Sequence, residues 1–208
     1  MDLRKSRIKL PVCLCFDTSI SMRGRPLENL RNAIDIFLDE LSGNDSVETA
    51  IITFGVGGAA CIKDFSQSSA KRLSANGIAS IGEGVELALD ILETREMAYS
   101  EMNIEYYRPW LLLTLNSNAV SKSMRLPRAI ARTQTKVNRS RLEVFPVATN
   151  STADKKILEN FSPSRRVLFL TDYSFEKMLL WLADNLVRIT EQSNEQGGLT
   201  SPQMWLEI

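Results

Sequence analysis

Histidine is absent from all 208 residues of the chain. That removes histidine-based triads, imidazole acid/base chemistry and histidine-ligated zinc from the functions open to it. Cysteine is scarce: Cys13, Cys15 and Cys61 are too few and too odd in number for a disulfide framework or a four-ligand zinc site, so all three are expected as small buried hydrophobes. Aromatic residues make up only 7%. No apolar run approaches the roughly 18 residues of a membrane span. The opening MDLRKSRIKL is charged where a signal peptide would be apolar, so a cytoplasmic location and no membrane partner are expected. An excess of one charge is missing too. Twenty-five basic and twenty-five acidic residues cancel, and the global balance gives no reason to expect nucleic acid or an anionic surface as partner. Nor is there a P-loop, a Gly-x-Gly-x-x-Gly after the first strand, or a nucleophile elbow. Nucleotide hydrolysis, dinucleotide binding and acyl transfer each lose their usual motif.

What is present is an ordinary globular composition, 44% apolar and 24% charged, long enough for one sizeable core. The expected unit is a single domain over 1–208, with its core at about 8–193 and a tail over 194–208. The organising stretch is LPVCLCFDTSISMRG, residues 10–24. An apolar strand over 12–16 runs into Asp17, Ser19 and Ser21, three oxygen-bearing residues at alternate positions, and Gly24 and Pro26 open a helix behind them. One carboxylate and two hydroxyls can occupy one side of the octahedron of a hard divalent cation. A loop at the C-terminal end of a buried parallel strand is also where doubly wound sheets place ligands. The competing reading is that the serines only shape the turn and cap the helix.

Along the chain, Leu27, Leu30, Ala33, Ile34, Phe37, Leu38 and Leu41 recur with a 3.6-residue period and predict a helix over 27–41. A strand is expected over 47–54, with an antiparallel hairpin partner over 60–65 across the glycine turn 55–58. A polar loop from 66 leads to a helix over 81–97, and a connection over 101–108 ends at Pro109. The run WLLLTL over 110–115 reads as a central strand covered on both faces. There follow a less buried basic helix over 121–138 with Met124, Leu126, Ile130 and Val137, a strand over 142–148 and a short helix over 152–160. A last strand over 166–170 and a last helix over 175–190 complete the order. Trp110 and Trp181 are expected in the core. In the tail over 191–208, Met204, Trp205 and Leu206 are expected to dock on the body. The alternation of β and α predicts an α/β, doubly wound, mostly parallel, Rossmann-like sheet with one antiparallel edge strand.

Two further features bear on function. Lys122, Arg125, Arg128, Arg132, Lys136, Arg139 and Arg141 recur at spacings of three and four and predict a positive stripe. Its readings are a solvated face, a site for an acidic protein partner, or a nucleic-acid contact. Asp17 paired with Asp172 or Glu83 would be the acid/base pair of an enzyme, an idea supported only by analogy of fold.

The spacing of Asp17, Ser19 and Ser21 resembles the Asp-x-Ser-x-Ser opening of the metal-ion-dependent adhesion site in the von Willebrand factor A domain family. SMRGRPLENL, IGEGVELAL, RPWLLLTL and YSFEKMLLWLADNLVRIT are similar to the stand-alone bacterial A domains of the tellurium-resistance TerY type, and the resemblance covers residues 10–208. It implies a six-stranded sheet flanked by helices, with a Mg2+ or Mn2+ ion at the upper edge completed by a partner's carboxylate. It also implies a threonine before the middle helix and an aspartate after the central strand. Here those positions hold Ala79 and, in the stretch Leu115, Asn116 and Ser117, Asn116. Ala79 offers no oxygen, while Asn116 keeps a carbonyl oxygen but drops a charge. Losing one charged contact costs on the order of 1.5 to 3 kcal/mol, taking a charge-assisted hydrogen bond as proxy. The expectation is therefore a degenerate site over Asp17, Ser19 and Ser21, with weakened or lost cation dependence; an intact metal-dependent module is the alternative.

The same resemblance implies a non-catalytic protein-interaction module without a small-molecule substrate. The edge formed by 17–24, 76–82 and 116–120 would dock a partner through Asp17, Ser19, Ser21, Met22, Ser80 and Asn116. The partner would be a phosphatase- or kinase-like protein, or an intact relative, in a tellurium-resistance, stress-response or phosphosignalling system.

Overall fold

The computed structural model describes residues 8–192 apart from 56, 119, 121, 122 and 164. Six strands, β1 (Leu10–Asp17), β2 (Val47–Gly55), β3 (Gly58–Lys63), β4 (Trp110–Leu115), β5 (Glu143–Ala148) and β6 (Leu168–Phe169), form one sheet in the order β3-β2-β1-β4-β5-β6. Every pairing is parallel except β2 with β3. Five helices flank it: α1 (Arg25–Glu40), α2 (Ile81–Glu101), α3 (Arg125–Asn138), α4 (Lys155–Phe161) and α5 (Phe175–Gln192). The expected α/β, doubly wound class with one antiparallel edge strand is what the chain adopts. Among the described residues no helix is long and apolar enough to cross a membrane.

The strand period explains the layers. Along β1, Leu10, Val12, Leu14 and Phe16 pack with α1 and α5, whereas Cys13 and Cys15 pack on the opposite face with α2. Both faces are therefore covered, which is why the central strands read as unbroken apolar runs. β1 lies between β2 and β4. The chain leaves β1 toward one edge and returns at β4 toward the other, so the C-terminal ends of these two strands flank the point where strand order reverses.

Two glycines let the backbone close in around that point. A Cβ on Gly55 would stand 2.5 Å from the carbonyl oxygen of Thr18, and one on Gly82 would stand 2.6 Å from the Cα of Leu126. Only a residue without a side chain permits either approach.

Several elements differ from expectation for identifiable reasons. β3 ends at Lys63, before residue 65. The buried Lys63 ammonium donates to the carbonyl oxygen of Thr49 at 2.6 Å and to that of Asp64 at 3.2 Å, and Asp64 starts a turn by accepting from the Ser66 N–H at 2.8 Å. α3 starts at Arg125, with Pro127 in the first turn where a missing N–H is harmless, and Met124 before it is 90% exposed. α4 starts at Lys155, after Asp154 caps it by accepting from the Ile157 N–H at 3.2 Å. α2 runs on to Glu101 and stops before Asn103, which adopts a left-handed φ of 55°. β6 shrinks to two residues, paired only with β5. Trp110 is buried as expected, but Trp181 is only half-buried, edge-on to Phe145 at 6.3 Å. Cys13 and Cys15 are buried; Cys61 is half-buried, because it lies on the edge strand. Met204, Trp205 and Leu206 lie outside the described residues.

Candidate functional site

Asp17, the last residue of β1, is fully buried. Its Oδ1 accepts from the Ser19 N–H at 2.7 Å and its Oδ2 from the Asn116 N–H at 2.9 Å. Burial pushes the carboxyl above its ordinary range, and hydrogen bonds from Ser19 and from the backbone of Asn116 and Ser117 offset part of that rise. The loop beyond is laced to its neighbours: Thr18 N donates to Phe54 O at 2.9 Å, Asn76 N to Thr18 O at 3.0 Å, and Ile20 N to Gly77 O at 3.0 Å. Ser19 is buried, Ser21 is exposed, and their hydroxyls share a hydrogen bond at 3.0 Å. The structure thus brings Asp17, Ser19, Ser21 and Asn116 together.

One residue expected at the docking edge is placed otherwise. Met22 is only 1% exposed and belongs to the core under α1, because the single 3-10 turn Ile20–Met22 points it inward. It is no surface contact, which corrects its assignment as a partner-binding residue. Ser80 is half-buried, its hydroxyl donating to Ile78 O at 3.5 Å. Ala79 is fully buried and bridges to Val120.

Asn116 departs most from expectation, and its orientation follows from a chain of donors. The Thr152 N–H can only donate, and it does so to Asn150 Oδ1 at 2.8 Å. That fixes Asn150 Nδ2 as the group facing Asn116, where it donates to Oδ1 at 2.6 Å; the Thr149 hydroxyl donates to the same oxygen at 2.8 Å. The Asn116 NH2 must therefore face the serine loop, and Nδ2 donates to Ser21 O at 2.9 Å and to Ser21 Oγ at 3.0 Å. The carbonyl oxygen expected to remain available to an ion is turned away, toward the loop after β5. Thr149 and Asn150 were not singled out by sequence reasoning; the only signal was a polar run, ATNST, directly after a strand.

These donors do not fit a hard cation as they stand. A divalent ion seeks oxygens, yet here it would meet two hydroxyls, an NH2 group and a carboxylate whose two oxygens each already accept a backbone hydrogen bond. Among the described residues no cluster of three His, Cys, Asp or Glu is arranged to hold a metal.

The architecture matches solved structures. The VWA domain of SpRpn10 superposes with a TM-score of 0.58 at 14% identity, covering 84% of this chain and 95% of that one. The fold is that of a von Willebrand factor A domain. Proximal thread matrix protein 1 from the mussel byssus, with a zinc-occupied adhesion-site motif, matches this chain with a TM-score of 0.59 at 14% identity over 86% of this chain and 48% of its own. Manganese-loaded Plasmodium vivax TRAP protein matches at 0.56 and 13%, over 84% and 73%. The chain spans about half the length of the mussel protein, 49% and 47% in two further structures of it. No known family profile matches the sequence, and no curated protein does.

Around the buried carboxylate, the chain presents apolar side chains to solvent. Among the described residues five large apolar side chains are exposed; two of them, Ile20 at 56% and Ile78 at 59%, lie in segments of the upper edge, and a third, Met124 at 90%, directly precedes α3. The bond from Ile20 N to Gly77 O joins the first two segments. The close approach of Gly82 to Leu126 brings the start of α3, and with it Met124, to the start of α2.

Part of the basic stripe on α3 is paired within the chain. Arg128 pairs with Glu86 at 3.0 Å, Arg132 with Asp90 at 2.8 Å and Glu93 at 3.1 Å, and Lys136 with Glu93 at 3.3 Å and Glu96 at 3.4 Å. The positive stripe on α3 is thus matched by a carboxylate stripe on α2. Arg125, Arg139 and Arg141 are exposed, and Lys122 lies outside the described residues. As for the imagined acid/base pair, Asp172 is exposed and pairs with Arg25 at 3.4 Å, while Glu83 lies against Gly58. The hydrogen-bond partners of the Asp17 carboxylate are Ser19 and the backbone after β4.

Proposed function

We propose that this A domain is a non-catalytic protein-interaction module that docks a protein partner on the upper edge of its sheet and has lost dependence on a divalent cation. The observation that carries this reading is the pair of exposed isoleucines, Ile20 and Ile78, on hydrogen-bonded segments beside the buried Asp17 carboxylate. Large apolar groups gathered at one functional edge mark a contact surface. On the resemblance of its motifs to TerY-type proteins, the module acts as a cytoplasmic scaffold in a bacterial tellurium- or stress-resistance or phosphosignalling system, with a phosphatase- or kinase-like protein or an intact A domain as partner.

A second reading keeps the cation, held by Asp17, Ser19 and Ser21 with Mg2+ or Mn2+. It draws on the zinc- and manganese-loaded structures that share the fold.

The test is affinity capture from a lysate of the source organism, run in EDTA and in millimolar Mg2+, with the wild-type chain beside an Ile20→Glu/Ile78→Glu variant. The partner should be retained by the wild type in both buffers and lost by the variant, then behave the same way when purified. Capture that ignores the isoleucine substitutions would remove the docking reading, and capture that vanishes in EDTA would favour the cation-dependent one.

A further inference from the structure

Asn116 occupies a position where the fold's metal-bearing sites are expected to carry an aspartate. We infer that its carboxamide stands in for the divalent cation, closing the serine loop by hydrogen bonds so that the edge is permanently set without an ion. A cation at this place would draw the two serine hydroxyls toward β4 by attracting their oxygens. The Asn116 NH2 does the same with its two polar hydrogens, one on Ser21 O at 2.9 Å and one on Ser21 Oγ at 3.0 Å, and Ser21 passes the contact to Ser19 at 3.0 Å.

The amide cannot turn its oxygen toward the loop without loss. A flip would set its NH2 against Asn150 Nδ2, a donor held in place by Thr152, and would leave the Thr149 hydroxyl without this acceptor. The result is a relay from Thr152 through Asn150, Asn116 and Ser21 to Ser19, which ties the ends of β5, β4 and β1 into one unit. The negative charge of Asp17 is met by backbone N–H groups of that same unit. Ala79 fits this arrangement, since a buried methyl group asks for no partner where an ion would have asked for an oxygen.

The consequence for binding rests on the reading of the upper edge as a docking surface, though the replacement of the ion does not. A partner carboxylate arriving here finds no cation, and both hydrogens of the amide are already used. The matching partner surface is apolar, fitted to Ile20 and Ile78.

The decisive experiment uses the full chain, chelator-stripped and without any partner. Bound Mn2+ is counted from the loss of the free-ion electron paramagnetic resonance signal, and thermal unfolding is followed with and without millimolar Mn2+. The wild type should bind no Mn2+ and show no shift in Tm. Asn116→Ala should melt lower than the wild type and stay ion-silent. Asn116→Asp combined with Ala79→Thr, which returns a carboxylate and a hydroxyl, should bind Mn2+ and gain about 4 °C on adding it. If the double variant does not fold, Asn116→Asp alone takes its place in the same assay. Wild-type Mn2+ binding that disappears in Asp17→Ala would overturn the inference, as would an unchanged Tm in Asn116→Ala or an ion-silent aspartate variant. None of these results touches the capture test, so failure here and failure of the docking reading are separable.

Discussion

Glu48 sits at the opposite end of the sheet from Asp17, and its environment acts on it in the opposite sense. Burial pushes its carboxyl up, but hydrogen bonds from Tyr99 and Arg95, the charge of Arg95 and a contact from Lys9 outweigh that and hold it below its ordinary 4.5. A carboxyl lowered in the folded state contributes stability that is present above its unfolded value and is lost as pH falls through its folded value. The wild-type chain should therefore lose stability to urea as pH drops below about 4.5. Glu48→Gln should cost about 1–3 kcal/mol at pH 7 and flatten the acid limb, checked by urea titrations between pH 7 and 3. An unchanged acid limb would show that other carboxylates set it. Asp17, raised by burial, has the reverse sign. In the sequence Glu48 looks like any polar residue opening a strand. Its partners Lys9, Arg95 and Tyr99 lie far along the chain, so nothing local marks it.

At the level of elements, the contact between α2 and α3 depends on a missing side chain. In an open helix, Gly→Ala gains about 0.5–1 kcal/mol. At Gly82 the added Cβ would meet Leu126 Cα at 2.6 Å, and backbone of another helix must move to admit it. Gly82→Ala should therefore destabilise, by about 1–3 kcal/mol as overpacked sites do, with a lower Tm by calorimetry; a gain in stability would mean that the two helix starts separate freely. The helices themselves were legible from apolar periodicity, and Pro127 and Asp154 refine their starts. The cross-helix ladder of Arg128, Arg132 and Lys136 on Glu86, Asp90, Glu93 and Glu96 was not. A basic stripe predicts a partner surface only until it is known what packs against it, and here the chain covers part of its own.

For the whole molecule, the two apolar layers differ from the edge strand in how they open. Cys13 and Cys15 lie in the layer beneath α2, fully buried, and burial pushes both thiols well above their usual range. Cys61 is on the edge strand β3, half-buried, with β2 as its strand partner and its thiol also raised by burial. Thiolate reagents react with exposed, ionised cysteine, and buried groups are reached only through unfolding. Native protein should thus show one fast-reacting thiol per chain and two that react at the rate of global unfolding. Three fast thiols would show that the sheet opens locally around β1.

The amino-acid sequence by itself determined the class of fold, the order of elements and the gathering of Asp17, Ser19 and Ser21 at the end of the first strand. Those properties are written in short-range periods and turn residues, which act within a few positions. What the site can hold was decided only by the tertiary structure. The direction of the Asn116 amide depends on Asn150, 34 positions away, and its effect falls on Ser21, 95 positions away. The inward turn of Met22 depends on the core that α1 and α5 build above it. A carbonyl oxygen and an amide nitrogen share one side chain, and only the neighbours brought in by folding select which of them faces the loop.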